Sequence, residues 1–261
     1  MLLALDIGNT ETTVGLFERD RLVGHWRLTT TTARTPDEWG AVLSTYLTNA
    51  GHSPSGIRAA VVASVAPLVT QNVCNAVSTI TGIPPCQVDG RSALPIVLDV
   101  EEPLTVGADR IMNTLAAAHL FERDTIVVDF GTATTFDCIT ADAHFIGGVI
   151  MPGIRTASDE LVRRTAKLPA TELTPPERVI GRRTEECIRS GVIWGTVDAV
   201  DGLIRRIREE WPSSDDPRPL VVATGGLAPL VAPLTKEVET VQPDLTLVGL
   251  RLAAEALGLG W

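Results

Sequence analysis

Lysine is nearly missing from this 261-residue chain: only Lys167 and Lys236 occur, and none precedes them. A P-loop places a lysine on the β and γ phosphates within Gly-x-x-x-x-Gly-Lys-Ser/Thr, so the N-terminal half contains no such loop. Aromatic residues make up 4% of the chain, so its cores must be built mostly from aliphatic side chains. Excess positive charge is also absent. The formal net charge is −10, which argues against nonspecific binding to nucleic acid or to an anionic membrane. The four cysteines (Cys74, Cys86, Cys138, Cys187) form no Cys-x-x-Cys pair, and the four histidines lack metal-ligand spacing. The cysteines therefore read as small buried hydrophobes or free thiols. No apolar run approaches the roughly 18 residues of a transmembrane helix. Met1 leads straight into a strand-like run, with no signal peptide. The expectation is a soluble cytoplasmic protein with no nucleic-acid or membrane partner.

What is present is a repeat. The chain reads Leu5-Asp6-Ile7-Gly8-Asn9-Thr10 near its start and Val128-Asp129-Phe130-Gly131-Thr132-Ala133 later. Each copy is an apolar run, then Asp-x-Gly, then hydroxyl residues, then a second apolar run. That pattern predicts a buried strand, a tight polar turn and a returning strand. Asp6 and Asp129 are 123 residues apart, and the same offset carries Gly24 onto Gly147. Backbone N–H groups and hydroxyls at such a turn can reach a phosphate while the Asp holds a cation. Two copies suggest a nucleotide phosphate tail held between two lobes.

Residues 2–6, 12–17 and 22–28 read as three consecutive strands. Pro36-Asp37-Glu38 opens a helix toward Ala50, with proline early and acids in the first turn. Residues 58–63 form a short buried strand, and Pro67 to Thr81 a helix stopped by Gly82. Residues 91–106 read as irregular. Ala108 to Phe121 is a helix with Ile111, Met112, Leu115 and Ala118 toward the core. The cycle then restarts, with strands near 125–129, 134–140 and 144–150 and helices over 154–166 and 184–210. A strand at 220–223, a Thr224-Gly225-Gly226 turn, a short helix and a last helix near 248–257 complete the chain. We divide it into an N-terminal lobe, 1–115, and a C-terminal lobe, 116–261. The fold class is α/β with mixed sheets. Each half resembles the ribonuclease H-like lobe of the actin, sugar kinase and Hsp70 superfamily, in which two such lobes clamp ATP in a cleft.

In the first turn, Gly8 permits close backbone approach to a phosphate, Asn9 and Thr10 supply donors, and Asp6 can hold Mg²⁺ directly or through water. An Asx-turn in an ordinary hairpin is the plain alternative. In the second turn, Thr132 is the candidate phosphate contact and Asp129 offers a cation an oxygen ligand. Thr134 and Thr135 read equally well as strand residues. Gly107-Ala108-Asp109-Arg110 opens a helix, where N–H groups favour anions and an Asp can simply be a cap. Arg110 alters that balance, because arginine recognises carboxylates. Asp109 could then accept a proton from a hydroxyl while Arg110 anchors the substrate, the role an Asp plays in kinases. Gly225-Gly226 could let an adenosine lie against backbone, or could be a plain strand-to-helix turn.

Together with Gly147-Gly148-Val149-Ile150-Met151-Pro152-Gly153, these blocks resemble the type III pantothenate kinases over essentially the whole chain. Gly181-Arg182-Arg183-Thr184-Glu185-Glu186 and Ala223-Thr224-Gly225-Gly226-Leu227 agree with that family. The resemblance implies ATP-dependent phosphorylation of (R)-pantothenate to 4'-phosphopantothenate, the first step of coenzyme A biosynthesis. Asp109 then matches the proton acceptor, and Gly107, Ala108, Asp109 and Arg110 match the pantothenate segment, with Thr184 a further contact. Asp6, Ile7, Gly8, Asn9, Thr10, Glu11, Thr12, Thr13 and Thr132 match ATP contacts. Asp129 matches the ligand of a monovalent cation, K⁺ or NH₄⁺, acting beside Mg²⁺ with ATP. A homodimer is implied. Val100 stands where the family usually carries a Tyr that contacts pantothenate, a difference that bears on affinity more than on reaction type. Two rivals remain: a superfamily kinase for another small hydroxylated substrate, and a non-catalytic nucleotide-binding regulatory protein.

Overall fold

A computed structural model describes residues 1–212 and 218–261. It divides into two compact units. The first comprises residues 1–120, 143–145 and 245–261; the second comprises 121–142 and 146–244.

In the first unit, β1 (Leu2–Ile7), β2 (Glu11–Glu18) and β3 (Arg21–Thr29) form an antiparallel meander. β4 (Ala59–Ser64) and β5 (Cys86–Val88) extend it in parallel, giving the order β3-β2-β1-β4-β5. β1 is apolar on both sides because both of its faces are covered. Leu3, Leu5 and Ile7 enter a core with Trp39, Leu43 and Leu47 of α1 (Pro36–Asn49) and Val69, Val73 and Val77 of α2 (Pro67–Thr81). Leu2 and Ala4 point the other way. Their core includes Ile111, Met112 and Leu115 of α3 (Ala108–Phe121) and Leu247, Leu250 and Ala253 of α7 (Leu245–Ala256). Each fully buried leucine here contributes about 1.5–3 kcal/mol.

The helix ends follow local chemistry. Thr35 caps α1 with a reciprocal bond to Glu38. Gly82 ends α2 at φ +75, the left-handed conformation that glycine adopts without a steric penalty. α3 begins and ends where its periodicity predicts, although Ala118 is only half-buried.

The second unit repeats the plan with β7 (Thr125–Phe130), β8 (Ala133–Ile139), β9 (His144–Pro152), β10 (Leu220–Thr224) and β11 (Thr240–Val241). β10 pairs in parallel with β7, as β4 does with β1. Ile126, Val128 and Phe130 pack with Ile188, Ile193, Val197 and Ile204 of α5 (Thr184–Glu209). α4 (Ile154–Arg164) contributes Ile154, and α6 (Ala228–Val231) contributes Ala228 and Val231.

Three features differ from the sequence reading. The segment read as irregular contains β6 (Val97–Leu98), which pairs with His144 and Phe145 at the start of β9. These four residues count with the first unit. A two-residue strand shows no alternation to detect. α7 starts at Leu245, three residues early. It also packs on β1, β2 and β4 of the first unit, so a single cut at 115 misses the chain's return. Its apolar face completes the core begun by Leu2 and Ala4, which no local signal announces.

Candidate functional site

In the first unit, β1 delivers Asp6 to the sheet edge where β1 and β4, running parallel, both end. Alternation puts Asp6 on the same face as Leu2 and Ala4, the face covered by α3 and α7. The following turn is closed by the Gly8 N–H donating to the Glu11 carbonyl at 3.0 Å. A Cβ at Gly8 would lie 2.8 Å from that carbonyl oxygen, so a side chain there would spread the turn. Asn9, Thr10 and Glu11 are exposed. Thr12 is fully buried, and its hydroxyl meets that of Thr30 at 2.8 Å. Thr13 sits opposite Asp6 in the antiparallel ladder.

α3 begins beside this turn. Val65 follows β4 and donates its N–H to the Ile7 carbonyl at 3.0 Å. Its Cγ1 lies 3.4 Å from the place a Cβ on Gly107 would occupy. The Asp109 carboxylate folds back over Gly107, filling the space that any larger residue would need. Its Oδ1 accepts the Arg110 N–H at 2.8 Å. Burial pushes the Asp109 pKa above the ordinary carboxylate range, against the opposing pull of the Arg110 N–H and guanidinium. A desolvated carboxylate of raised pKa is a better proton acceptor than an exposed one. The Arg110 guanidinium lies over the Phe145 ring, 5.0 Å from its centroid.

The second unit has a similar turn, and α4 begins against it. The Gly131 N–H donates to the Ala133 carbonyl at 3.0 Å. Thr132 is exposed, and its carbonyl accepts the Gly153 N–H at 3.1 Å and the Thr156 hydroxyl at 2.6 Å. A Cβ at Gly153 would strike the Gly131 and Thr132 carbonyls, so Gly153 supports the turn by lacking one. Asp129 lies opposite Thr135 in β8 and Thr224 in β10. Beyond Thr224, Gly225 adopts φ +89 and lies against the Asp129 carboxylate and the Phe130 backbone. Thr134 is buried in β8, so it serves the strand. Thr184 is exposed at the first position of α5. Nearby, Glu186 accepts the Arg182 N–H at 2.8 Å, which holds its carboxyl below the usual range.

The candidate cation positions offer oxygen donors, which suit hard ions. Among the described residues, no group of three or more His, Cys, Asp and Glu could hold a metal ion. A single carboxylate at Asp6 suits Mg²⁺, which usually keeps substrate phosphates and water as its other ligands. Asp129 likewise offers a single carboxylate, with Thr135 and Thr224 beside it in the ladder.

Within the first unit the structure thus gathers Asp6, Gly8 and the Gly107–Arg110 segment around one sheet end. Within the second it gathers Asp129, Thr132 and Gly225. Val65, Phe145 and the supporting role of Gly153 escaped the sequence reading. Val65 and Phe145 are ordinary strand-end apolar residues, and Gly153 read only as a Pro-Gly turn.

The family model for type III pantothenate kinases matches residues 2–206. "Type III pantothenate kinase 1" of Symbiobacterium thermophilum is 42% identical, covering 100% of this chain and 97% of its own. The type III pantothenate kinase of Thermomicrobium roseum is 44% identical, covering 98% of each. A Sinorhizobium meliloti protein described as a 2-dehydro-3-deoxygalactonokinase shares the fold, with TM-score 0.59, 15% identity, and coverage of 100% of this chain and 98% of that one. A Campylobacter jejuni protein described as a Baf family transcriptional activator shares it too, with TM-score 0.57, 16% identity and 97% coverage of each. At those identities the structural likeness speaks to fold alone. Among the described residues, no helix is long and apolar enough to cross a membrane.

Proposed function

The chain belongs to the type III pantothenate kinase family, and from that premise we propose how its residues carry out the ATP-dependent phosphorylation of pantothenate that opens coenzyme A biosynthesis. The observation that carries the reading is Asp109. It is a desolvated carboxylate at a helix N-terminus, beside Arg110, at the sheet end that also bears Asp6. Phosphoryl transfer asks mainly for positioning and charge neutralisation. Asp109 receives the proton of the pantothenate hydroxyl as the bond to phosphorus forms, giving 4'-phosphopantothenate and ADP. Arg110 meets the substrate carboxylate, and the segment from Gly107 lies along the substrate, with Thr184 a further contact.

Residues 6–13 hold the ATP phosphates, chiefly through the exposed part of the turn. Buried Thr12 braces that turn through Thr30. Thr132 makes the corresponding contact from the second turn. Mg²⁺ and a monovalent cation, when bound, supply the positive charge that a P-loop lysine would otherwise bring. Asp6 would hold the first and Asp129 the second, K⁺ or NH₄⁺. The protein works as a cytoplasmic homodimer.

ADP release with Mg-ATP, with and without pantothenate, in K⁺, NH₄⁺ and Na⁺ tests this reading. Pantothenate-dependent ADP that requires K⁺ or NH₄⁺ is expected. A folded, nucleotide-binding protein that releases no ADP in response to pantothenate would overturn it.

A further inference from the structure

The substrate segment that begins at Gly107 is entered from one short turn, and whatever fixes that turn also fixes Gly107. It is a single 3-10 turn, Pro103–Thr105. The Thr105 N–H and hydroxyl both donate to the Glu102 carbonyl, at 3.1 and 2.8 Å. The Val106 N–H donates to the Pro103 carbonyl at 3.4 Å. Gly107 follows directly, and its carbonyl accepts the Ile111 N–H at 3.1 Å as α3 begins.

A second turn lies against this one. It follows β5, which runs parallel to β4 at the edge of the first sheet. The Asp89 N–H donates to the Ser92 hydroxyl at 3.0 Å, and the Ser92 N–H returns to the Asp89 carbonyl at 3.1 Å. The Asp89 Oδ1 accepts the Arg91 N–H at 2.8 Å. Gly90 sits inside this closed turn. A Cβ on it would stand 2.9 Å from the Pro103 carbonyl oxygen and 3.4 Å from the Leu104 Cα. Both are backbone atoms, so no side chain could swing aside to make room. The carbonyl that Gly90 faces is the one that holds Val106. At 3.4 Å that bond is already long, and a shift of a few tenths of an ångström would open it.

We infer that Gly90 is a positioning residue for pantothenate. By lacking a side chain it lets the turn after β5 bear on the Pro103 carbonyl, and so sets where the Gly107–Arg110 segment meets the substrate. This rests on the assignment of that segment to pantothenate. All of these residues lie in the first unit, so the contact ties the segment to the sheet end that bears Asp6. A misplacement of about 1 Å between reacting groups can cost about 100-fold in rate. A Gly90 that merely saved space would affect stability and leave the kinetics alone.

The test is steady-state kinetics on the full-length protein carrying Gly90→Ala. We expect kcat/KM for pantothenate to fall about tenfold, with the KM for ATP changed less than about twofold. Val73→Ala, in the core on the opposite face of the sheet, controls for lost stability. It should lower the melting temperature and leave kcat/KM for pantothenate at the wild-type value. Should Gly90→Ala fail to fold, Ser92→Ala loosens the same turn without adding an atom, and kcat/KM for pantothenate should fall about twofold to threefold with ATP KM held. An unchanged kcat/KM for pantothenate in the folded variant, a parallel rise in ATP KM, or an equal loss in Val73→Ala would overturn the role of Gly90. Arg110→Ala with wild-type pantothenate KM would instead overturn the assignment of the segment, and wild-type protein that releases no ADP in response to pantothenate would overturn the kinase reading, so the failures are distinguishable.

Discussion

The two sheets follow one plan, and their differences fall where chemistry is expected. β1 and β7 are offset by 123 residues, as are β3 and β9, and β4 and β10 pair with them in the same sense. The first hairpin nevertheless closes at Ile7 opposite Thr12, and the second at Phe130 opposite Thr134, so the second turn is one residue shorter. A bulge between Leu16 and Phe17 accompanies the longer turn. The exits of the parallel strands differ more. After β4 comes Val65, whose side chain packs toward Gly107 and seats α3. After β10 comes Gly225, a bare backbone bent at φ +89 against Asp129. One exit is filled to hold a helix that bears Asp109. The other stays open so that backbone and a carboxylate lie together. The proposed roles divide along the same line, with proton acceptance assigned to α3 in the first unit and the monovalent cation to Asp129 in the second.

The largest test of that division is Asp109→Asn, which keeps the side chain's shape and removes its capacity to accept a proton. General-base catalysis is worth about 10²–10⁴-fold, so kcat should fall by at least about 100-fold with ATP binding retained. The pH dependence should agree. Asp109 must be ionised to accept a proton, so its raised pKa places the acid limb of kcat above the ordinary carboxylate range near about 4. The stability sign is opposite. A raised folded-state pKa contributes stability that is present below the unfolded pKa and lost as pH rises through the folded value. Where the carboxylate is ionised it therefore costs stability, and Asp109→Asn should melt no lower than wild type at pH above the folded value. A mutant with near-normal kcat would remove Asp109 from the mechanism and with it the asymmetry between the halves.

The two exits can be compared directly by mutation. Gly225→Ala imposes the left-handed penalty of about 1–2 kcal/mol and drives a methyl into the Asp129 carboxylate and Phe130 backbone. We expect KM for ATP to rise about tenfold, equivalent to ~1.4 kcal/mol. Val65→Ala removes only the methyl groups beside Gly107, and should cost about 1 kcal/mol with little change in ATP KM. Equal effects on ATP KM would show that the open exit has no special role. Asp129→Asn sharpens the same contrast, with an expected rise of about fivefold in the K⁺ concentration giving half-maximal rate. Asp6→Asn should leave that K⁺ dependence unchanged and weaken Mg²⁺ dependence instead.

Much of this arrangement was legible in the sequence because it is local. Asp-x-Gly between apolar runs specifies a strand and a turn, and its recurrence at a fixed offset implied the second sheet. The ends of α2 and α3 followed from Gly82 and from periodicity. The return of α7, the seating of Gly107 by Val65 and the stacking of Arg110 on Phe145 are long-range. Nothing near Phe145 marks it as different from any buried strand aromatic. Thr12 illustrates the reverse failure. It sits inside the phosphate-loop motif, yet strand alternation turns it inward toward Thr30. The motif reports chemistry at the resolution of a turn, while pleating decides which of its side chains reach solvent.

The smallest expected effect concerns how α3 is braced. Asn113, one turn beyond Asp109, is buried, and its Oδ1 lies 2.8 Å from the Thr246 hydroxyl of α7. Three residues further on, Gly249 lies against the Met112 backbone, where a Cβ would collide with the carbonyl. α7 therefore grips the helix that carries Asp109. Thr246→Val keeps shape and removes the hydroxyl, leaving a buried amide oxygen without that donor, a loss of about 1–2 kcal/mol. A melting temperature lowered by about 2–8 °C is expected for a chain of this size. If α7 also orients Asp109, kcat should drop severalfold while both KM values hold, because the proton acceptor shifts and the binding turns do not. A drop in melting temperature with kcat unchanged would confine α7 to stability, leaving Val65 and Gly107 to set the position of Asp109.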